Sequence, residues 1–180
     1  MQLFDSAGVD IAYLDTEGGA GKAPVLLIHG FASNASTNWV STSWIDTLQR
    51  EGHRVVALDN RGHGASGKLY EISDYGSPVM AEDARRLLDH LKIEKANIVG
   101  LSMGGFATLH FGLRYPQRAL SLVVAGTGYG AEKEQTERFR ELSFEIARQI
   151  ETKGCKVFAE AYTLGPSRVQ LLNKNPRGWQ

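Results

Sequence analysis

"GLSMGG", residues 100–105, stands between the apolar run Ala96, Asn97, Ile98, Val99 and a stretch that reads as helix until Pro116. A serine placed where a strand gives way to a helix sits on a sharp, strained turn whose neighbours must be small, and Gly100 and Gly104 meet that need. Its hydroxyl is a weak nucleophile until a base takes its proton. The remainder of the chain is therefore asked for two things: a sheet to hold the turn, and a base to serve it.

The sheet is legible. Short apolar or alternating runs predict strands at 2–5, 9–15, 24–28, 54–58, 97–101 and 120–125. Gly8 separates the first two, as in a hairpin, while the last four are uninterrupted apolar runs of the kind that strands covered on both faces show. Helical patterns fill the gaps, as parallel strands require of their crossovers. One helix is expected over 37–51, closed by Gly52. In a second, Met80, Ala84, Leu87, Leu88 and Leu91 form one stripe with Pro78 near its start; a third runs over 104–115. The order predicts an α/β fold with an open, mostly parallel sheet. Residues 1–130 form its core. From 131 to 180 the character changes to a charged helical segment, with Phe139, Leu142, Ile146 and Ile150 as an apolar face, and this reads as an incomplete lid.

Ligands of open parallel sheets bind beyond the carboxyl ends of the strands. Those ends carry "HGF" at 29–31, "DNRGHGAS" at 59–66, "GLSMGG" at 100–105 and Gly126-Thr127-Gly128. With three such motifs in order at successive strand ends, the whole chain resembles the α/β-hydrolase family. The resemblance implies Ser102 as nucleophile and an oxyanion hole made by the backbone N–H groups of Phe31 and Met103, with His29 and Gly30 shaping the oxyanion loop. Donors of that kind are worth about 3–4 kcal/mol each. Dehalogenating relatives place an aspartate at the elbow, so a serine points to acyl chemistry on an ester, lactone, thioester or β-diketone. "DNRGHGAS" and Ser73-Asp74-Tyr75 look most like bacterial carboxylic-ester and enol-lactone hydrolases. The expected partner is a small-molecule acyl substrate.

The family's triad runs serine, acid, histidine along the chain. After Ser102 this sequence has one histidine, His110, and no aspartate. His110 lies eight residues further along the same helix, about 12 Å at 1.5 Å per residue, too far to reach the hydroxyl. His53 and His90 are expected at the opposite end of the sheet, and His29 and His63 on the correct rim but in structural roles. The resemblance implies two further strands bearing the acid and the histidine, so the expectation is an N-terminal fragment of a longer enzyme. If the chain does end at Gln180, its last strand is an open edge and self-association is expected. The absent base keeps a second reading open: a non-catalytic module that binds a small ligand or partner.

Composition narrows the alternatives. Lys plus Arg and Asp plus Glu both total 20, which leaves no net basic field for nucleic acid or an anionic membrane. No apolar run approaches the ~20 residues of a membrane span, and the first twenty residues lack the pattern of a secretory signal, so a cytoplasmic protein is expected. Cys155 is the only cysteine, which excludes an internal disulfide; it is expected to be a small buried hydrophobe in a helix interruption at Gly154. Gly18-Gly19-Ala20-Gly21-Lys22 fails as a phosphate loop, because Ala23 stands where the hydroxyl residue belongs and a strand follows. The weak dinucleotide pattern at Gly126, Gly128 and Ala131 has no strand after it. No cofactor and no metal are expected.

Overall fold

A computed structural model describes residues 1–19, 21–128 and 132–163. Six strands form one sheet: β1 (Gln2–Asp5), β2 (Asp10–Asp15), β3 (Val25–Ile28), β4 (Val55–Leu58), β5 (Ala96–Leu101) and β6 (Ala119–Ala125), in the spatial order β1-β2-β4-β3-β5-β6. β1 and β2 are an antiparallel hairpin and β2 lies antiparallel to β4, whereas β4, β3, β5 and β6 run parallel. The mostly parallel α/β sheet expected from the sequence is therefore the fold, with strand ends within a residue of those expected. Crossovers are α1 (Trp44–Arg50), α2 (Ser77–His90) and α3 (Met103–Arg114).

Alternation along each strand builds a core on both faces. Leu26 and Ile28 of β3 face one cluster with Ile98, Leu87, Leu88 and Phe111, on the side of α2 and α3. Val25 and Leu27 face the other, with Trp39, Ile45, Val55 and Ala57. All four residues of β3 and all four of β4 are buried, as strands between two layers must be.

Three expectations are corrected. The single helix over 37–51 is a π-helical turn, Ser36–Val40, followed by α1, because Ser43 adopts φ 62° and a left-handed residue cannot continue a helix. β6 is not covered on both faces: Leu120, Leu122, Val123 and Val124 are all at least 36% exposed, and among the described residues it is also an edge strand. Cys155 is exposed. It belongs to the second of two compact units, Met1–Thr127 and Gly128–Gln180. In that second unit Phe158 alone is buried among the described residues, which leaves no interior for a thiol.

The second unit contains α4 (Lys133–Thr163), with Gly154 at φ 78°, ψ 157° breaking the helical path where the sequence indicates an interruption. Phe139 and Leu142 of its apolar stripe are exposed and Ile146 and Ile150 half-buried. The expected lid residues beyond 163, and Ala131, lie outside the described residues. No described helix is long and apolar enough to cross a membrane.

Candidate active site

Ser102 occupies the junction of β5 and α3 with φ 53° and ψ −114°, a conformation that costs of order 1–3 kcal/mol for a residue with a side chain. Surrounding bonds hold it there. Its N–H donates to Ala125 O at 2.8 Å, and its carbonyl accepts the Gly105 N–H at 2.9 Å and the Thr127 hydroxyl at 3.0 Å. The serine itself is exposed. The flanking glycines are obligatory for a reason of distance: a Cβ on Gly100 would lie 2.1 Å from Gly104 O, and one on Gly104 would lie 2.1 Å from Ile28 O. A Cβ on Gly105 would meet Thr127 Oγ1 at 1.9 Å. Strand β5, helix α3 and the end of β3 approach too closely for any side chain there.

The loop after β3 comes up against this elbow. A Cβ built on Gly30 would be 3.4 Å from Ser102 Cβ, so the His29–Phe31 segment borders the serine. Two consecutive peptides of that segment are clamped by side chains. Asn60 Nδ2 donates to His29 O at 3.0 Å, the Gly30 N–H donates to Asn38 Oδ1 at 3.0 Å, and His29 Nδ1–H donates to Gly30 O at 2.7 Å. The fourth polar group of the pair, the Phe31 N–H, has no partner among the described residues, and neither has the Met103 N–H at the start of α3. The structure thus brings Ser102, Met103, Gly104, Gly100 and the His29-Gly30-Phe31 loop to one place.

His29 is fully buried, and its second ring nitrogen, Nε2, accepts the Asn60 N–H at 2.9 Å. Burial is the main force on its titration and holds its pKa down to about 4. A ring with both nitrogens engaged and no charge at neutral pH is a structural brace, not a base. His63 donates from Nδ1 to Arg61 O at 3.0 Å and packs edge-on against the rings of His29 and Phe31. His53 bonds Ala23 O at the amino end of β4, and His90 stacks on Phe4 at the end of α2. His110 lies within α3.

Sequence reasoning missed the residue that joins the rim loops. Asp59 Oδ1 accepts the Ala35 N–H at 2.7 Å, and its Oδ2 accepts the Ala65 N–H at 2.8 Å. Ser66 Oγ in turn donates to Asp59 O at 2.6 Å. A Cβ on Gly64 would sit 2.0 Å from Asp59 Oδ2, which explains the glycine there. The available signal was an aspartate at the carboxyl end of an apolar strand, where a buried carboxylate needs several donors. Asn38 gave no signal, being one polar loop residue among many. Among the described residues no three His, Cys, Asp or Glu side chains converge as a metal site requires.

Comparison with known proteins agrees with this fold. A family model described as "alpha/beta hydrolase fold" matches residues 23–165. A 2-hydroxy-6-oxononadienedioate/2-hydroxy-6-oxononatrienedioate hydrolase of Paraburkholderia phymatum is 37% identical over 121 residues, 67% of this chain and 41% of that protein. The dihydrolipoyllysine-residue acetyltransferase component of an acetoin cleaving system of Pseudomonas putida is 40% identical over 114 residues, 63% of this chain and 29% of that protein. Among solved structures, one from work on the carboxylesterases of Nitrososphaera gargenis is 29% identical with a TM-score of 0.75, covering 89% of this chain and 57% of that one. The chain spans less than half the length of the curated relatives it matches.

Proposed function

The chain belongs to the alpha/beta hydrolase fold family, and from that premise we propose that it carries the nucleophile and oxyanion site of a serine hydrolase acting on a carboxylic ester or lactone. The observation that supports this most is the pairing of an exposed serine at φ 53° with two neighbouring backbone N–H groups that have no acceptor among the described residues, those of Phe31 and Met103. Unpaired donors beside a strained hydroxyl suit the charge that develops on an attacked carbonyl oxygen.

In this reading Ser102 Oγ attacks the acyl carbon as a base removes its proton. The negative charge moves to the carbonyl oxygen and is met by the two N–H groups. Collapse of the tetrahedral adduct expels the alcohol or enol oxygen, which takes up the proton, and leaves an acyl-serine that water hydrolyses. His29 does not serve as that base, because both its ring nitrogens are engaged. We assign the base, with its acid, to a part of the family fold outside the described residues, and α4 to a segment of the lid. That one of the curated relatives is named as a hydrolase supports a hydrolytic centre of this kind.

The test is Ser102→Ala in the protein expressed from its complete reading frame. Hydrolysis of p-nitrophenyl acetate is expected to fall by about 10⁴-fold or more, with loss of labelling by a fluorophosphonate probe. Undiminished turnover in the variant would dispose of the serine mechanism.

A further inference from the structure

We propose that Asn38 is a positioning residue of the oxyanion site, acting through the Gly30 peptide; the inference rests on the roles given above to Ser102 and Phe31. The two peptides that link His29, Gly30 and Phe31 carry four polar groups. Three of them are held by side chains: His29 O by Asn60, the Gly30 N–H by Asn38 Oδ1 at 3.0 Å, and Gly30 O by the His29 ring. Among the described residues only the Phe31 N–H is left over. A peptide is planar, so fixing the Gly30 carbonyl fixes the opposite direction of the Phe31 N–H in the same plane.

Glycine makes this clamp necessary. Gly30 loses more freedom on folding than any residue with a side chain, and its lack of a Cβ leaves the loop free to turn unless something ties it. The lone side-chain tie on its nitrogen is Asn38. That residue is itself anchored: its N–H donates to Asn34 O at 3.0 Å, and Thr42 Oγ1 donates to its carbonyl at 2.5 Å. The next residue, Trp39, is 3% exposed, packed in the core and edge-on to Trp44. The buried tryptophan sets where the asparagine stands, and the asparagine fixes the His29–Gly30 peptide, from which the adjoining Gly30–Phe31 peptide, held at its carbonyl by the His29 ring, carries the leftover donor. Its oxygen, not its amide NH₂, makes the contact.

That distinction selects the experiment. In the protein expressed from its complete reading frame, Asn38→Ala and the near-isosteric Asn38→Leu are compared with Asn38→Asp, which retains an oxygen acceptor and discards the amide donors. Turnover of p-nitrophenyl acetate, thermal melting and the Ser102→Ala control are measured together. The expected result is a fall in kcat of about tenfold or more in the Ala and Leu variants, smaller than the 10²–10³-fold loss of an oxyanion donor itself. KM stays within about twofold, and Asn38→Asp recovers to within about threefold of the wild type. Wild-type kcat in Asn38→Leu overturns the proposal. So does a raised KM at constant kcat, which means substrate contact, and so does an Asp variant as impaired as Leu, which means the oxygen is not what matters. Should Ser102→Ala remain fully active, the serine reading fails first and takes this one with it, so the two failures are told apart.

Discussion

His29 holds one proton between Gly30 O and its own Nδ1 and offers its other nitrogen to Asn60, so it can be accommodated only as a neutral ring. Its pKa falls from 6.5 to about 4 because burial disfavours the cation. The direction fixes the pH dependence. Below pH 6.5 the unfolded chain takes up a proton that the folded chain refuses until about pH 4. The stability tied to the neutral ring is therefore complete above about pH 6.5 and is lost as pH falls toward 4, by about 1.4 kcal/mol per unit and about 3 kcal/mol in all. Urea midpoints from pH 7 to 4 should show this slope, and His29→Gln should flatten it. A variant with the wild-type slope would place the linkage in another group.

Between elements, the most buried ion pair among the described residues couples the hairpin, the loop after β4 and α2. Arg61 makes two parallel bonds to Asp83, Nε to Oδ2 at 2.7 Å and Nη2 to Oδ1 at 2.8 Å, with both side chains at most 6% exposed. Ser6 Oγ adds a third donor to Asp83 at 2.6 Å, and Arg61 Nη1 donates to Asp74 O. A buried pair of this kind contributes little net stability relative to an apolar pair, but one partner alone is costly. Asp83→Ala leaves the Arg61 guanidinium buried and unpaired, and a loss of about 3–5 kcal/mol is expected in chemical denaturation. A loss under about 1 kcal/mol would show that Arg61 finds water instead. The same loop, 59–66, reaches the site through Asp59 and Asn60, so this joint also bears on the oxyanion segment.

At the scale of the whole molecule, the sheet ends in an open apolar strand. Leu122 and Val124 of β6 are 41% and 36% exposed, and the outer side of β6 pairs with no other described strand. Uncovered parallel edges recruit other chains. A polypeptide of residues 1–180 is expected to self-associate in light scattering at micromolar concentration, with Leu122→Lys shifting it toward monomer. A monodisperse monomer with a cooperative melt would contradict that expectation.

Local rules determined much of this protein. Short apolar runs gave the six strands because a strand covered by helices needs little more than branched apolar residues, and the serine turn was legible because only glycine permits three backbones to meet there. Gly154 interrupts its helix as its sequence context suggests. Other features depended on neighbours distant in the chain. β5 and β6 read alike in sequence, yet β5 is flanked on both sides and β6 is not. Ser43 looks like a helical residue but adopts a left-handed turn. Asn38 and Asp59 became visible only when folding brought their oxygens to the Gly30, Ala35 and Ala65 amides, because a side-chain hydrogen bond to a loop amide leaves no periodic trace in the sequence.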